Sequence, residues 1–107
     1  MEAGSLVVLS CSGPREKFWG VLLIVNITGV TLRGVALDAF EDYAHQFAKP
    51  GARLLGPVTI FVPAHRIERI ELDESSGPIE GLGDRFRRVT GLDPASVLAR
   101  RNTDSET

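Results

Sequence analysis

The chain has 107 residues, room for one domain and not for two. Hydrophobic residues make up 43% and charged residues 24%, and a formal net charge of -2 with a pI near 5.6 excludes the strong basic excess of a general nucleic-acid binder. A single cysteine, Cys11, excludes an internal disulfide and suits a reducing compartment, where it reads as a small packed residue.

The start, Met1 to Ser5, is acidic and lacks the basic and apolar stretches of a signal peptide. The longest apolar stretch, Phe18 to Val25, falls far short of the ~20 residues of a membrane helix. The expected location is the cytoplasm, with no membrane partner.

Leu6-Val7-Val8-Leu9 predicts a first strand, followed by a turn at Ser12-Gly13-Pro14. Phe18 to Val25 is rich in β-branched and aromatic residues and apolar on both faces, which predicts a central, covered strand. Gly20 within it predicts a bend or a close backbone approach. Asn26-Ile27-Thr28-Gly29 reads as a hairpin turn, and Val30 to Leu37 as a third strand with a second interior glycine, Gly34.

The period then changes. Phe40, Tyr43, Ala44 and Phe47 are spaced i, i+3, i+4, i+7, one face of a helix. Asp38 is placed to cap it, Glu41 to complete a capping box, and Lys49 with Pro50-Gly51 to end it. Val58 to Val62 and Ile67 to Leu72 predict two more strands, joined tightly by Pro63-Ala64-His65-Arg66. Asp73 to Pro78 reads as a linker. Ile79, Leu82, Phe86 and Val89 mark a second helix ended by Gly91, its first turn weakened by Gly81 and Gly83. Asp93-Pro94 opens a short third helix through Val97 and Leu98. The polar residues 102–107 read as a disordered tail.

The order β-β-β-α-β-β-α-α predicts a mainly β domain with added helices over residues 1–101. Its core is a five-stranded, strongly bent antiparallel sheet or small barrel over 6–72, with a helix inserted after the third strand and a C-terminal helical extension over 79–101.

Two segments resemble the halves of the Sm-like fold, the family that includes the Hfq-type RNA chaperones. Gly20, Leu22, Val25 and Asn26 follow the spacing of the first Sm segment, and Val62 to Ile67 with Ile70 follows the register of the second. His65 and Ile67 match the Lys-His-Ala-Ile turn of Hfq-type proteins, with Ala64 in place of the lysine. Pro63 stands where the second segment has arginine, Val30 is near the usual base-holding asparagine, and a helix is inserted after Leu37. Arg15 to Gly20, Phe40 to Asp42 and His65 to Glu71 also resemble a group of short uncharacterised bacterial proteins. The Sm resemblance implies a small barrel, pairing of the fourth strand of one subunit with the fifth of the next in a ring, and single-stranded RNA as ligand. The acidic pI and the lost arginine and asparagine disfavour the RNA.

Several residues are candidates for chemistry or contact. Asn26, His65 and Arg66 lie at turns, which present side chains at a barrel mouth, and are the RNA- or ligand-binding set. Val58, Ile60, Val62, Ile67, Arg69 and Ile70 are the oligomer-interface set. Glu41 and His45 share a helix face, but two ligands fall short of a metal site, and a solvated face accounts for them. Arg85, Arg87 and Arg88, with Arg100 and Arg101, are a mild basic cluster offset by Glu80, Asp84 and Asp93. No catalytic set, cofactor fingerprint or metal site is read from the sequence. The expectation is a non-enzymatic binding or assembly module that forms a homo-oligomer and can engage a protein partner. Single-stranded RNA binding is one alternative. A small ligand- or metal-binding protein or enzyme using His45 and His65 is the other.

Overall fold

The computed structural model describes residues 1–48 and 55–100. Short runs rich in aliphatic and β-branched residues produce β1 (Leu6–Cys11), β2 (Glu16–Asn26), β3 (Gly29–Ala36), β4 (Val58–Pro63) and β5 (Ile67–Leu72). They form one five-stranded antiparallel sheet in the order β4-β3-β2-β1-β5. β4 and β5 are joined by a single 3-10 turn, Ala64–Arg66, yet they occupy opposite edges. A flat sheet of this order would hold those edges roughly 19 Å apart, at about 4.8 Å per strand gap. A three-residue 3-10 turn advances only about 6 Å. The sheet therefore curls until its edges approach each other at this corner.

Curling needs close backbone approach, and the sequence supplies it where expected. Gly20 stands opposite Gly34. A Cβ on Gly34 would lie 2.6 Å from the Gly20 Cα, and one on Gly20 would lie 2.8 Å from the Gly34 Cα. Both neighbours are backbone and cannot give way, so only a glycine pair allows this contact. Irregularities between Leu22 and Ile24 in β2, and opposite Ser10 and Cys11 in β5, add local twist.

The centre of the curled sheet is buried on both faces. The inner face gathers Val7, Leu9 and Cys11 of β1 with Leu22, Val30, Leu32 and Val62; Phe18, Ile60, Ile67 and Ile70 pack against them. The outer face carries Trp19, Val21 and Val35. It is covered by α1 (Phe40–His45), α2 (Leu82–Thr90) and α3 (Pro94–Ala99) through Phe40, Tyr43, Ala44, Phe86 and Leu98. Double coverage explains why β2 is apolar on both sides from Phe18 to Leu22; Leu23, Ile24 and Val25, expected to be covered, run past the helices and are exposed.

The helices differ from expectation at their starts. Asp38 lies in a 3-10 turn, Leu37–Ala39, and the N-cap of α1 is Ala39, with no side-chain cap. The capping box does not form. Glu41 instead accepts hydrogen bonds from Arg85 Nε (2.6 Å) and Nη2 (2.8 Å), which clamp α1 to α2. A second 3-10 turn, Gln46–Ala48, follows α1; Lys49, Pro50 and Gly51 fall outside the described residues, as does the tail from 101.

α2 begins at Leu82, so Ile79 is not on it: Ile79 is 71% exposed and forms a bridge with Ser76. The cause is Asp73, which is no mere linker residue. Its Oδ1 accepts from Leu82 N–H (2.8 Å) and its Oδ2 from Gly83 N–H (2.7 Å), fixing the first turn of α2. Gly91 ends that helix in a left-handed conformation (φ 76°). Asp93 caps α3 as its sequence predicts, accepting from Ser96 N–H at 3.0 Å. No helix among the described residues is long and apolar enough to cross a membrane.

Candidate functional site

The corner where the sheet edges meet carries the turn residues singled out above. The β2–β3 hairpin touches the β4–β5 turn, with Ala64 N–H donating to the Thr28 carbonyl at 2.9 Å. Asn26 is occupied within its own hairpin. Its Oδ1 accepts from Thr28 N–H (3.0 Å) and Oγ1 (2.5 Å), an Asx turn. Arg66 reaches the β1–β2 turn instead, donating to the carbonyls of Ser12 (3.0 Å) and Pro14 (2.8 Å) and to Glu16 Oε1 (2.8 Å). His65 is exposed and makes no hydrogen bond or ion pair among the described residues. The fold thus brings the two turns together but spends two of the three polar side chains on its own backbone.

The other titratable groups are held in pairs. His45 Nδ1 lies 2.7 Å from the Glu41 carbonyl oxygen and 3.5 Å from its Oε2. The Arg85 guanidinium holds the Glu41 carboxyl below its ordinary range. His45 sits on α1 and His65 at the β4–β5 turn. Neither lines the groove of about 410 Å³ beside Arg15, Lys17, Phe18 and Asp38, nor the one of about 490 Å³ beside Leu23 and α3. Among the described residues no three His, Cys, Asp or Glu side chains converge as a metal site. Arg85, Arg87 and Arg88 are each matched by a carboxylate, from Glu41, from Asp84 and Asp93, and from Glu80 respectively. Cys11 is buried, and burial pushes its thiol pKa up, away from nucleophilic character.

The two sheet edges contrast. On β4, the Ala64–Thr28 hydrogen bond sets the ladder's phase, because hydrogen-bonded pairs alternate along an antiparallel ladder. Val58, Ile60 and Val62 turn their backbone groups toward β3, so Thr59 and Phe61 turn theirs to the free edge. Both are exposed, and among the described residues neither backbone pairs with another segment beyond β3. The strand Val58–Val62 carries no charge. Phe61, 56% exposed, lies over Gly29 and stands in an outer-face row with Thr31 and the 55% exposed Ile24. On β5, Asp73 N–H donates to the Leu6 carbonyl (2.9 Å), which leaves Ile70 and Leu72 as the residues with outward backbone groups. Glu68, Arg69 and Glu71 are exposed there, and Arg69 Nε pairs with Glu71 Oε1 at 3.3 Å. Within the expected interface set, Val62, Ile60, Ile67 and Ile70 direct side chains to the inner core, and Val58 is 53% exposed at the start of β4.

Two residues that hold the structure escape sequence reasoning. Asp73 also accepts from Trp19 Nε1 at 2.9 Å, tying the central strand to α2. Arg33, only 8% exposed, donates from Nε (3.2 Å) and Nη2 (2.7 Å) to the Arg100 carbonyl and from Nη1 to Thr59 Oγ1 (3.1 Å). These bonds to Trp19, Thr59 and Arg100 span 26 to 67 positions, beyond any local pattern. Set against protein-family models, curated proteins and solved structures, the chain gives no match.

Proposed function

We propose that this chain is a non-enzymatic small-barrel assembly module of Sm-like architecture, working in the cytoplasm as a homo-oligomer. The observation that carries the reading is the free edge of β4: uncharged, exposed at Thr59 and Phe61, and unpaired among the described residues. Such an edge is a template for another strand. The placement of β4 and β5 at opposite edges across one short turn supports the Sm-like reading, since it is the arrangement the resemblance implies. Asn26 and Arg66, occupied within the fold, weigh toward assembly and against RNA. Light scattering at micromolar concentration tests the proposal. The expected mass exceeds that of one 11.6 kDa chain; a single-chain mass throughout a dilution series overturns it.

A further inference from the structure

We infer that the assembly is a twofold dimer, made by antiparallel pairing of β4 with β4 of a second copy about an axis at Ile60, and not the ring that the Sm resemblance implies. The inference rests on the assembly reading above and names its partner surface.

Hydrogen bonding sets the register. The outward groups of β4 belong to Thr59 and Phe61, and the flanking Pro57 and Pro63 have no N–H to offer. About an axis at Ile60, Thr59 meets Phe61 of the second copy, and Phe61 meets its Thr59. Every outward N–H and C=O of both residues is then used. A shift of the axis by one residue sets Thr59 against Pro63, or Phe61 against Pro57, and leaves a carbonyl without a donor.

Side chains favour the same pairing. The facing rows become Thr59 with Phe61 on the outer side and, on the inner side, Val58 with Val62 and Ile60 with Ile60. No charge is buried or set against its like. Pairing β4 with β5 would use the outward groups of Ile70 and Leu72, whose neighbours on the strand are Arg69 and Glu71. In the antiparallel register that joins Phe61 to Ile70, Ile60 faces Glu71 and Val62 faces Arg69, so charges are desolvated against aliphatic groups. β5 carries the charges and the bulge that protect an edge, and β4 carries neither along Val58–Val62.

Three variants test the dimer beside the wild-type chain, whose expected mass in solution is near twice 11.6 kDa. Thr59→Pro removes an outward N–H without removing a backbone bond to β3, though it also takes away the Thr59 Oγ1 that accepts from Arg33 Nη1, and it halves the mass. Leu72→Pro removes the corresponding donor on β5 and leaves the mass unchanged. Ile60→Cys sets two thiols across the axis and gives a disulfide-linked dimer under mild oxidation; Cys11, 1% exposed, does not compete. Circular dichroism checks that Thr59→Pro is folded, and the Ile60→Cys cross-link carries the test if it is not. A single-chain mass for the wild type overturns the assembly reading and the dimer together. A mass above two chains, disruption by Leu72→Pro, or failure of the cross-link overturns the dimer and leaves the assembly reading standing.

Discussion

The two faces of the curled sheet are both buried at its centre, but they are closed by different means. The inner face is strand against strand: aliphatic side chains with Cys11 and Phe18, all from β1 to β5. The outer face is helix against strand and is aromatic, with Trp19 edge-on to Phe40 at 4.8 Å and Tyr43 stacked on Phe86 at 5.8 Å. It is also pinned by polar bonds, Trp19 to Asp73 and Arg33 to Thr59 and the Arg100 carbonyl. Strands inherit their alignment from the backbone ladder, so apolar alternation suffices inside. Helices laid on a sheet have no ladder to orient them, and directional bonds supply what area burial alone does not.

The largest effect comes from disturbing both faces at once. In Gly34→Ala, the added Cβ overlaps the Trp19 carbonyl and the Gly20 Cα, and neither can move without separating β2 from β3. The expected cost is above about 4 kcal/mol, a large fraction of a small domain's stability of ~5–15 kcal/mol. Chemical denaturation measures it; a cost below about 1 kcal/mol shows that the glycine pair does not set the curl.

Single-face substitutions separate the two cores. Trp19→Ala empties the middle of the aromatic layer and strands Asp73, at an expected cost of about 4 kcal/mol. Leu32→Ala removes a buried inner-face side chain and costs about 3 kcal/mol. A larger loss for Leu32→Ala than for Trp19→Ala would place the weight of stability inside the barrel and reverse the comparison.

How much was legible follows the same division. The strands that build the inner face were readable because the short aliphatic and β-branched runs around Val7, Leu9, Leu22, Leu32 and Val62 are local signals that need no knowledge of partners. Gly20 was readable as a bend or a close approach and Gly34 as a second interior glycine that permits a bend, though not as each other's partner. The apolar stripe of α1 was legible through Phe40, Tyr43 and Ala44, while its cap was not, because Glu41 is drawn away by Arg85 from a distant helix. Asp73 looked like a linker residue since its bonds reach back to Trp19 and forward to Leu82 and Gly83. Among the candidate turn residues, the meeting of the two turns was not legible, because it depends on which strands become the sheet's edges. That Asn26 and Arg66 serve their own backbone was not legible either, because a polar turn residue offers the same atoms to a ligand or to a carbonyl.

Asp73→Ala tests the pins without emptying the core. It removes acceptors for Trp19 Nε1 and for two backbone N–H groups of α2, leaving the indole donor buried. The expected loss is about 2 kcal/mol. It falls on the outer face, so Trp19 fluorescence and amide exchange in α2 change more than exchange in β1. Equal loosening of both faces would show that the layers do not respond separately.

The smallest expected effect is acid sensitivity of the outer layer alone. Glu41, Glu80 and Asp93 are all held below their ordinary values, chiefly by hydrogen bonds from Arg85, Arg88 and Ser96 respectively. All three carboxylates lie on or beside the helices, and no inner-core residue is an acid. A carboxylate whose pKa is depressed by folding stabilises the native state above its unfolded value and loses that contribution as pH falls through the folded value. Below the ordinary values of 4.5 for Glu41 and Glu80 and 3.8 for Asp93, the helices should therefore loosen before the strands. These pairs are largely exposed, so the change is modest and is weakened by salt. Trp19 reports it, being the only tryptophan and lying beneath the helices. Its emission should shift on acidification while the β signal in circular dichroism holds, and Glu41→Gln should flatten part of the shift by removing the carboxylate that clamps α1 to α2. A tryptophan signal that stays level to pH 3, or a β signal lost with it, would mean that the ion pairs do not hold the outer layer separately from the inner one.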